Sequence, residues 1–176
     1  MLANSIKLSD LRSMTEVDMP FLYSLYASTR EKEMAMTGWA EEQKLFFLNS
    51  QFQLQHNYYQ SQFENAEFKI IEINNQPVGR LYYGWEDENL RIIDISLLPN
   101  FQRHGIGRNL MRELMELAKN REGNVLLYVD ITNPVRSWYL RLGFVPMKNQ
   151  NTAHSLYEQL QWSSRAPVNA NNAELA

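Results

Sequence analysis

Apolar positions along this chain fall into two rhythms, and each change of rhythm marks an element. Residues 90–97, Leu-Arg-Ile-Ile-Asp-Ile-Ser-Leu, are rich in β-branched and aliphatic side chains and predict a strand. After a turn carrying two glycines, Leu110, Met111, Leu114, Met115 and Leu117 paint one face of a helix that runs to about Asn120. Residues 124–129 form a second short apolar run, introduced by Glu122-Gly123 and ended by Asp130-Ile131-Thr132-Asn133-Pro134, and predict a buried strand. Thr132 or Asn133 as N-cap, with Pro134 at the first helical position, opens the next helix, and Gly143 stops it.

The flanking segments complete the pattern. Residues 5–13 alternate roughly as a first strand, and Thr15-Glu16-Val17-Asp18 resembles a capping box opening a helix to about Arg30. Residues 41 to about 64 predict a longer, glutamine-rich helix, whose aromatic stripe (Phe46, Phe47, Phe52, Tyr58, Tyr59, Phe63) is expected in the core rather than as a binding platform. Strands over 67–73 and 78–85 are joined by Asn74-Asn75-Gln76-Pro77, and Glu86-Asp87-Glu88-Asn89 turns into the strand at 90–97. Residues 145–147 and 154–162 supply the last two strands. The order is β-α-α-β-β-β-α-β-α-β-β, a mixed α/β (α+β) class.

The turn between residues 97 and 108 carries the chemistry. A glycine-bearing turn at a helix start leaves backbone N–H groups unpaired, and the helix dipole adds to their attraction for phosphate. Arg103, His104 and Arg108 would add side-chain donors; the plainer account of the two arginines is a solvated first turn. Gly107-Arg108-Asn109 lacks the Lys-Ser/Thr of a nucleotide-triphosphate loop, and Leu110 stands where a dinucleotide fingerprint needs its third glycine.

What remains, Gln102-x-x-Gly105-x-Gly107, resembles the acetyl-coenzyme A signature of the GCN5-related N-acetyltransferase (GNAT) superfamily. A second motif, Tyr139-x-x-Leu142-Gly143-Phe144, resembles that family's pattern in the expected order, and the resemblance spans nearly all of residues 5–162. It implies a single acetyltransferase domain over residues 1–162, with residues 163–176 expected to be a disordered tail. It further implies a largely antiparallel sheet of about seven strands, splayed between the fourth and fifth. By resemblance, backbone groups of Ile95, Ser96 and Leu97 would pair with the pantetheine of acetyl-CoA, residues Gln102, Arg103, His104, Gly105, Ile106, Gly107 and Arg108 would cradle its pyrophosphate, and Asn133 would bond the pantetheine or serve as a helix cap. The implied reaction is direct acetyl transfer to an amine, with the Leu97 N–H polarising the carbonyl and Tyr139 protonating the leaving thiolate. A phenol, with an ordinary pKa of about 10, stays protonated at neutral pH and can donate to a thiolate. The plainer account of Tyr139 is a core aromatic beside Trp138 and Leu142.

The general base is open. Some family members carry a glutamate where Tyr128 stands, so Asp94, Asp130 and Glu86 are the substitutes, with Asp94 the best placed if its face of the strand looks into an acceptor cleft. His56 and His154 are isolated, and no metal-ligand spacing appears among the three histidines. In the connection around residues 30–39, Met34, Met36 and Trp39 would line an apolar wall and Glu31 or Glu33 would meet a cation; the duller account, core filling and solvated glutamates, is preferred. The chain of 176 residues contains no cysteine, which excludes a thiol nucleophile and suits a reducing cytoplasm, while a net charge of −3 argues against nucleic acid and no run suffices to span a membrane. The expected acceptor is a small-molecule, peptide or protein amine, with a homodimer as one assembly. The rival reading is a non-catalytic acyl-CoA-binding sensor or interaction module on the same fold.

Overall fold

The computed structural model describes residues 6–147 and 156–165. Ser5, His154 and residues 166–176 of the expected tail lie outside them. The elements are β1 (Arg12–Ser13), α1 (Met19–Ala35), α2 (Glu41–Gln62), β2 (Glu67–Ile73), β3 (Gln76–Glu86), β4 (Asn89–Leu97), α3 (Ile106–Lys119), β5 (Asn124–Asp130), α4 (Arg136–Arg141), β6 (Val145–Pro146) and β7 (Tyr157–Ser163). The strands form one sheet in the order β1-β2-β3-β4-β5-β7-β6, mostly antiparallel, with β4 and β5 its parallel neighbours. Both the element order and the mixed sheet match the expectation. By packing, the described residues divide into two compact units, one of residues 6–85 with 92–113 and one of residues 86–91 with 114–147 and 156–165.

In the first unit, the two-residue turn at Asn74 and Asn75, both left-handed (φ 52° and 61°), closes the β2–β3 hairpin. Paired positive φ values match the twist of the strands, and asparagine adopts them at low cost. Leu22, Tyr26 and Met34 of α1 and Leu48 and Phe52 of α2 are buried together with Ile70 of β2 and Tyr82 of β3. Phe52 is the hub, with Tyr23 meeting it edge-on at 5.8 Å. Truncating such a side chain to alanine typically costs about 3–5 kcal/mol.

The entry to α1 is fastened by charge. Thr15 N–H and Oγ1 both donate to Asp18 Oδ2 (2.8 and 3.1 Å), which is the expected capping box. Arg12 grips the same carboxylate with two guanidinium nitrogens (2.8 and 2.7 Å) and sends Nε to Glu72 (2.7 Å). These donors hold the buried Asp18 carboxyl down at about 2.

In the second unit, Val125, Leu127 and Val129 of β5 alternate inward, and Leu127 pairs with Leu160 of β7. Leu114, Met115 and Ala118 supply the buried face of the second half of α3. Gly123 follows that helix where the Glu88 carbonyl leaves no room for a side chain.

Four local expectations differ. Only Arg12–Ser13 of the expected first strand pairs; Leu8–Asp10 forms a 3-10 turn because Asp10 accepts from Lys7 N–H (2.9 Å) and Glu113 from Leu8 N–H (2.6 Å), satisfying donors a ladder would have used. Helix α1 continues five residues past Arg30, since nothing before Gly38 (φ +67°) breaks it. Met34 is therefore core, as preferred, but Met36 is 81% exposed. On α2 only Leu48 and Phe52 are buried, and Leu45, Phe46, Leu54 and Tyr58 face outward, because the sheet covers a single stripe of this helix. Helix α4 begins at Arg136 rather than Pro134, the preceding residues being held in side-chain-capped turns.

Candidate functional site

Strand β4 ends in two chemically different sides. Leu98 N–H donates to the Val78 carbonyl of β3 at 2.9 Å, and the Ser96 carbonyl lies against Gly79, so close that a Cβ there would stand 2.5 Å from it. Strand alternation then turns the backbone groups of Ile95 and Leu97 to the side away from β3. Of the three residues expected to offer backbone groups, Ile95 and Leu97 turn theirs away from β3, whereas the Ser96 backbone faces β3. The Leu97 carbonyl receives the Gln102 side-chain amide at 2.8 Å, so Gln102 acts on the strand end and folds the turn back on it.

The turn itself is shaped by Pro99–Phe101 in a 3-10 turn, Arg103 at φ 62° and Gly105 at φ 84°. Gly105 is needed for its left-handed backbone; Gly107 is already helical, so the two glycines do different work. The first helical bond runs from Asn109 N–H to the Gly105 carbonyl (3.0 Å), which leaves the N–H groups of Ile106, Gly107 and Arg108 ahead of any carbonyl one turn back. Ile106 is buried and anchors the turn, while Arg103, His104 and Arg108 are exposed around it. Backbone donors, a helix dipole and two guanidinium groups within six residues suit a phosphate-bearing group.

The side chains of Asp94 and Ser96 project together from one face of β4, toward α2. Asp94 Oδ2 accepts from Arg80 Nη2 (2.7 Å) and Tyr59 Oη (3.3 Å), and its Oδ1 accepts from Ser96 Oγ (2.7 Å). Arg80 is 3% exposed; Gln55 accepts from its Nη2 (2.8 Å), Tyr82 lies 5.1 Å beneath it, and its Nε is buried without a hydrogen-bond partner. Burial works against the guanidinium charge, but Asp94 and the two phenols outweigh it and the pKa is raised. Burial likewise pushes the Tyr82 phenol up to about 12. Asp94 is thus the counter-ion of a sealed cation, not an open carboxylate. Sequence reasoning overlooked Arg80, Tyr59 and Gln55. The signal was present for Arg80: it stands in phase with Val78 and Tyr82 on a strand, opposite Ile70.

In the second unit, Tyr139 is buried on α4, its ring 5.8 Å from Phe144 edge-on and 5.0 Å from Trp138. Asn133 Oδ1 accepts from Val135 N–H (3.0 Å), a local cap on the turn before α4. Asp130 accepts from the backbone and hydroxyl of Thr132 (2.8 and 2.7 Å). Tyr128 is 41% exposed under the Arg91 guanidinium at 4.9 Å, and Arg91 also donates to Glu86 (2.7 Å). His56 packs beside Phe52 on α2, where burial lowers its pKa. Among the described residues, no helix is long and apolar enough to cross a membrane, and no cluster of three metal-ligating side chains occurs.

Most of the chain resembles solved structures in fold. The PaiA N-acetyltransferase from Thermoplasma acidophilum, in complex with coenzyme A, is 17% identical, with 87% of this chain and 97% of that one covered at a TM-score of 0.63. An acetyltransferase from Thermus thermophilus is 18% identical, with 88% and 96% covered and a TM-score of 0.58. The ribosomal-protein-S18-alanine N-acetyltransferase from Escherichia coli is 18% identical, with 86% and 89% covered and a TM-score of 0.54. No curated protein sequence matches the chain significantly. The model of the acetyltransferase (GNAT) family matches residues 24–144, which take in α2 to β5 entire, the Gln102 to Arg108 turn and the Tyr139 to Phe144 motif. The chain therefore belongs to the GNAT acetyltransferase family.

Proposed function

We propose that this protein is an N-acetyltransferase that moves an acetyl group from acetyl-CoA directly to a primary amine. The observation that carries the reading is the end of β4: outward backbone groups at Ile95 and Leu97 lead, through a turn tied to Leu97 by Gln102, into a helix start ringed by Arg103, His104 and Arg108. An extended amide chain followed by a diphosphate needs that sequence of donors and acceptors. Acetyl-CoA supplies an acetyl group activated as a thioester. Leu97 N–H is assigned to donate to the carbonyl oxygen as negative charge gathers there, and Tyr139 to return a proton to the leaving sulfur. Asp94 already holds three donors, the Ser96 hydroxyl among them. The acceptor is a small-molecule, peptide or protein amine, and the absence of cysteine suits a reducing cytoplasm.

Calorimetry with acetyl-CoA, with NADH as control, tests the reading before any acceptor is known. Saturable binding of acetyl-CoA alone supports it, and thiol release with a panel of amines then distinguishes an enzyme from a binding module. Absence of binding would overturn it.

A further inference from the structure

A buried guanidinium stays protonated, and Arg80 has Asp94 as its salt-bridge partner among the described residues. Asp94 is therefore the ionised partner of this pair, and an ionised carboxylate can only accept hydrogen bonds. The 2.7 Å contact between Ser96 Oγ and Asp94 Oδ1 must then use the hydroxyl hydrogen of Ser96, and its length suits a bond to a charged oxygen. A hydroxyl has one hydrogen. With it committed to Asp94, Ser96 Oγ has only lone pairs left, and Ser96 is partly exposed, one residue before Leu97. Anything else that meets that oxygen has to bring a hydrogen of its own.

Resting on the acetyl-transfer reading above, we propose that Ser96 Oγ is an obligate hydrogen-bond acceptor for an N–H of the acceptor amine, fixed in that state by Arg80 acting through Asp94. Ser96 is the contact residue; Arg80 and Asp94 are positioning residues. The arrangement favours an acceptor whose reacting nitrogen carries an N–H to donate.

The test needs no knowledge of the natural acceptor. Two conjugates of coenzyme A are compared by calorimetry, one with S-CH2-CO-NH-propyl and one with S-CH2-CO-O-propyl, which differ only in the N–H. Wild-type protein should bind the amide about tenfold more tightly than the ester, the worth of one hydrogen bond. Ser96→Ala should bind both alike, and Ser96→Thr should restore the preference. In Asp94→Asn, Arg80 claims the remaining oxygen and the new amide donates to Ser96, which frees the hydroxyl hydrogen, so the preference should vanish or invert. Coenzyme A alone is measured with every variant. Failure of the wild-type protein to bind it overturns the acetyl-transfer reading and this proposal together. Binding of coenzyme A with equal affinity for the two conjugates, or an amide preference that survives in Ser96→Ala, overturns this proposal alone.

Discussion

Gly79 offers a sharp test of the β4 end, because a single methyl group there meets backbone. In Gly79→Ala the new Cβ would lie 2.5 Å from the Ser96 carbonyl oxygen, 2.6 Å from Leu97 Cδ2 and 3.3 Å from Ile71 Cδ1. Leu97 Cδ2 can rotate away. The Ser96 oxygen cannot, so relief to an ordinary contact of about 3.4 Å requires β4 to move by roughly 0.9 Å at the segment proposed to carry the pantetheine contacts. Overpacking of this kind costs about 1–3 kcal/mol, or several degrees in Tm for a chain of this length. A displacement near 1 Å at a recognition edge misplaces the backbone groups proposed to bind, so acetyl-CoA affinity should fall at least tenfold. Gly123→Ala is the matched control: its Cβ meets the Glu88 carbonyl, a clash with backbone at the β4–β5 start in the other unit. It should lower Tm at least as much and leave the affinity of the folded protein unchanged. Thermal unfolding and calorimetry read both quantities. If Gly79→Ala loses stability but binds acetyl-CoA like the wild type, the end of β4 is not the binding edge; if neither changes, the segment yields freely and the steric argument is wrong.

Two further outcomes are expected. The Asp18 carboxyl, held at about 2 by Arg12 against an ordinary 3.8, stabilises the fold fully above pH 3.8 and loses that contribution as pH falls through 2; it amounts to about 2 kcal/mol. Urea midpoints at pH 5 and pH 2 should therefore fall further for the wild type than for Asp18→Asn, and equal losses would remove the Arg12 pair from the acid response. Tyr139→Phe keeps the packing against Phe144 and should slow turnover on the order of a hundredfold while acetyl-CoA binding stays intact, whereas unchanged turnover would remove Tyr139 from the proton-donor role.

Much of the fold was legible because its signals are local. The capping box at Thr15 and Asp18, the paired asparagines at 74 and 75 and the glycine at 105 each impose a backbone geometry that neighbouring residues suffice to explain. The same holds for the turn proposed to take the diphosphate, which lies within twelve residues of sequence. What escaped reading depends on partners distant in the chain. Glu113 takes the N–H of Leu8 from 105 residues away and removes it from a strand. Arg80 goes unnoticed until Asp94 and Tyr59 are seen around it, and Asp94 is read as an available carboxylate for the same reason. The aromatic stripe of α2 shows apolar content but not which part of the helix circumference the sheet reaches, so Phe46 and Tyr58 face outward where the core is expected.

The sealed pair of Arg80 and Asp94 also constrains how this sequence can change over time. Removing either partner alone strands a charge under α2, at a cost of about 3–5 kcal/mol, while replacing both by apolar residues of similar volume is close to neutral. Single substitutions at either position are therefore a barrier between two tolerated states. Among descendants of this chain, residues 80 and 94 should be inherited as a unit, both ionic or both apolar, and the apolar lineages should be the ones in which Ser96 has regained a hydrogen to donate and the acceptor preference has drifted.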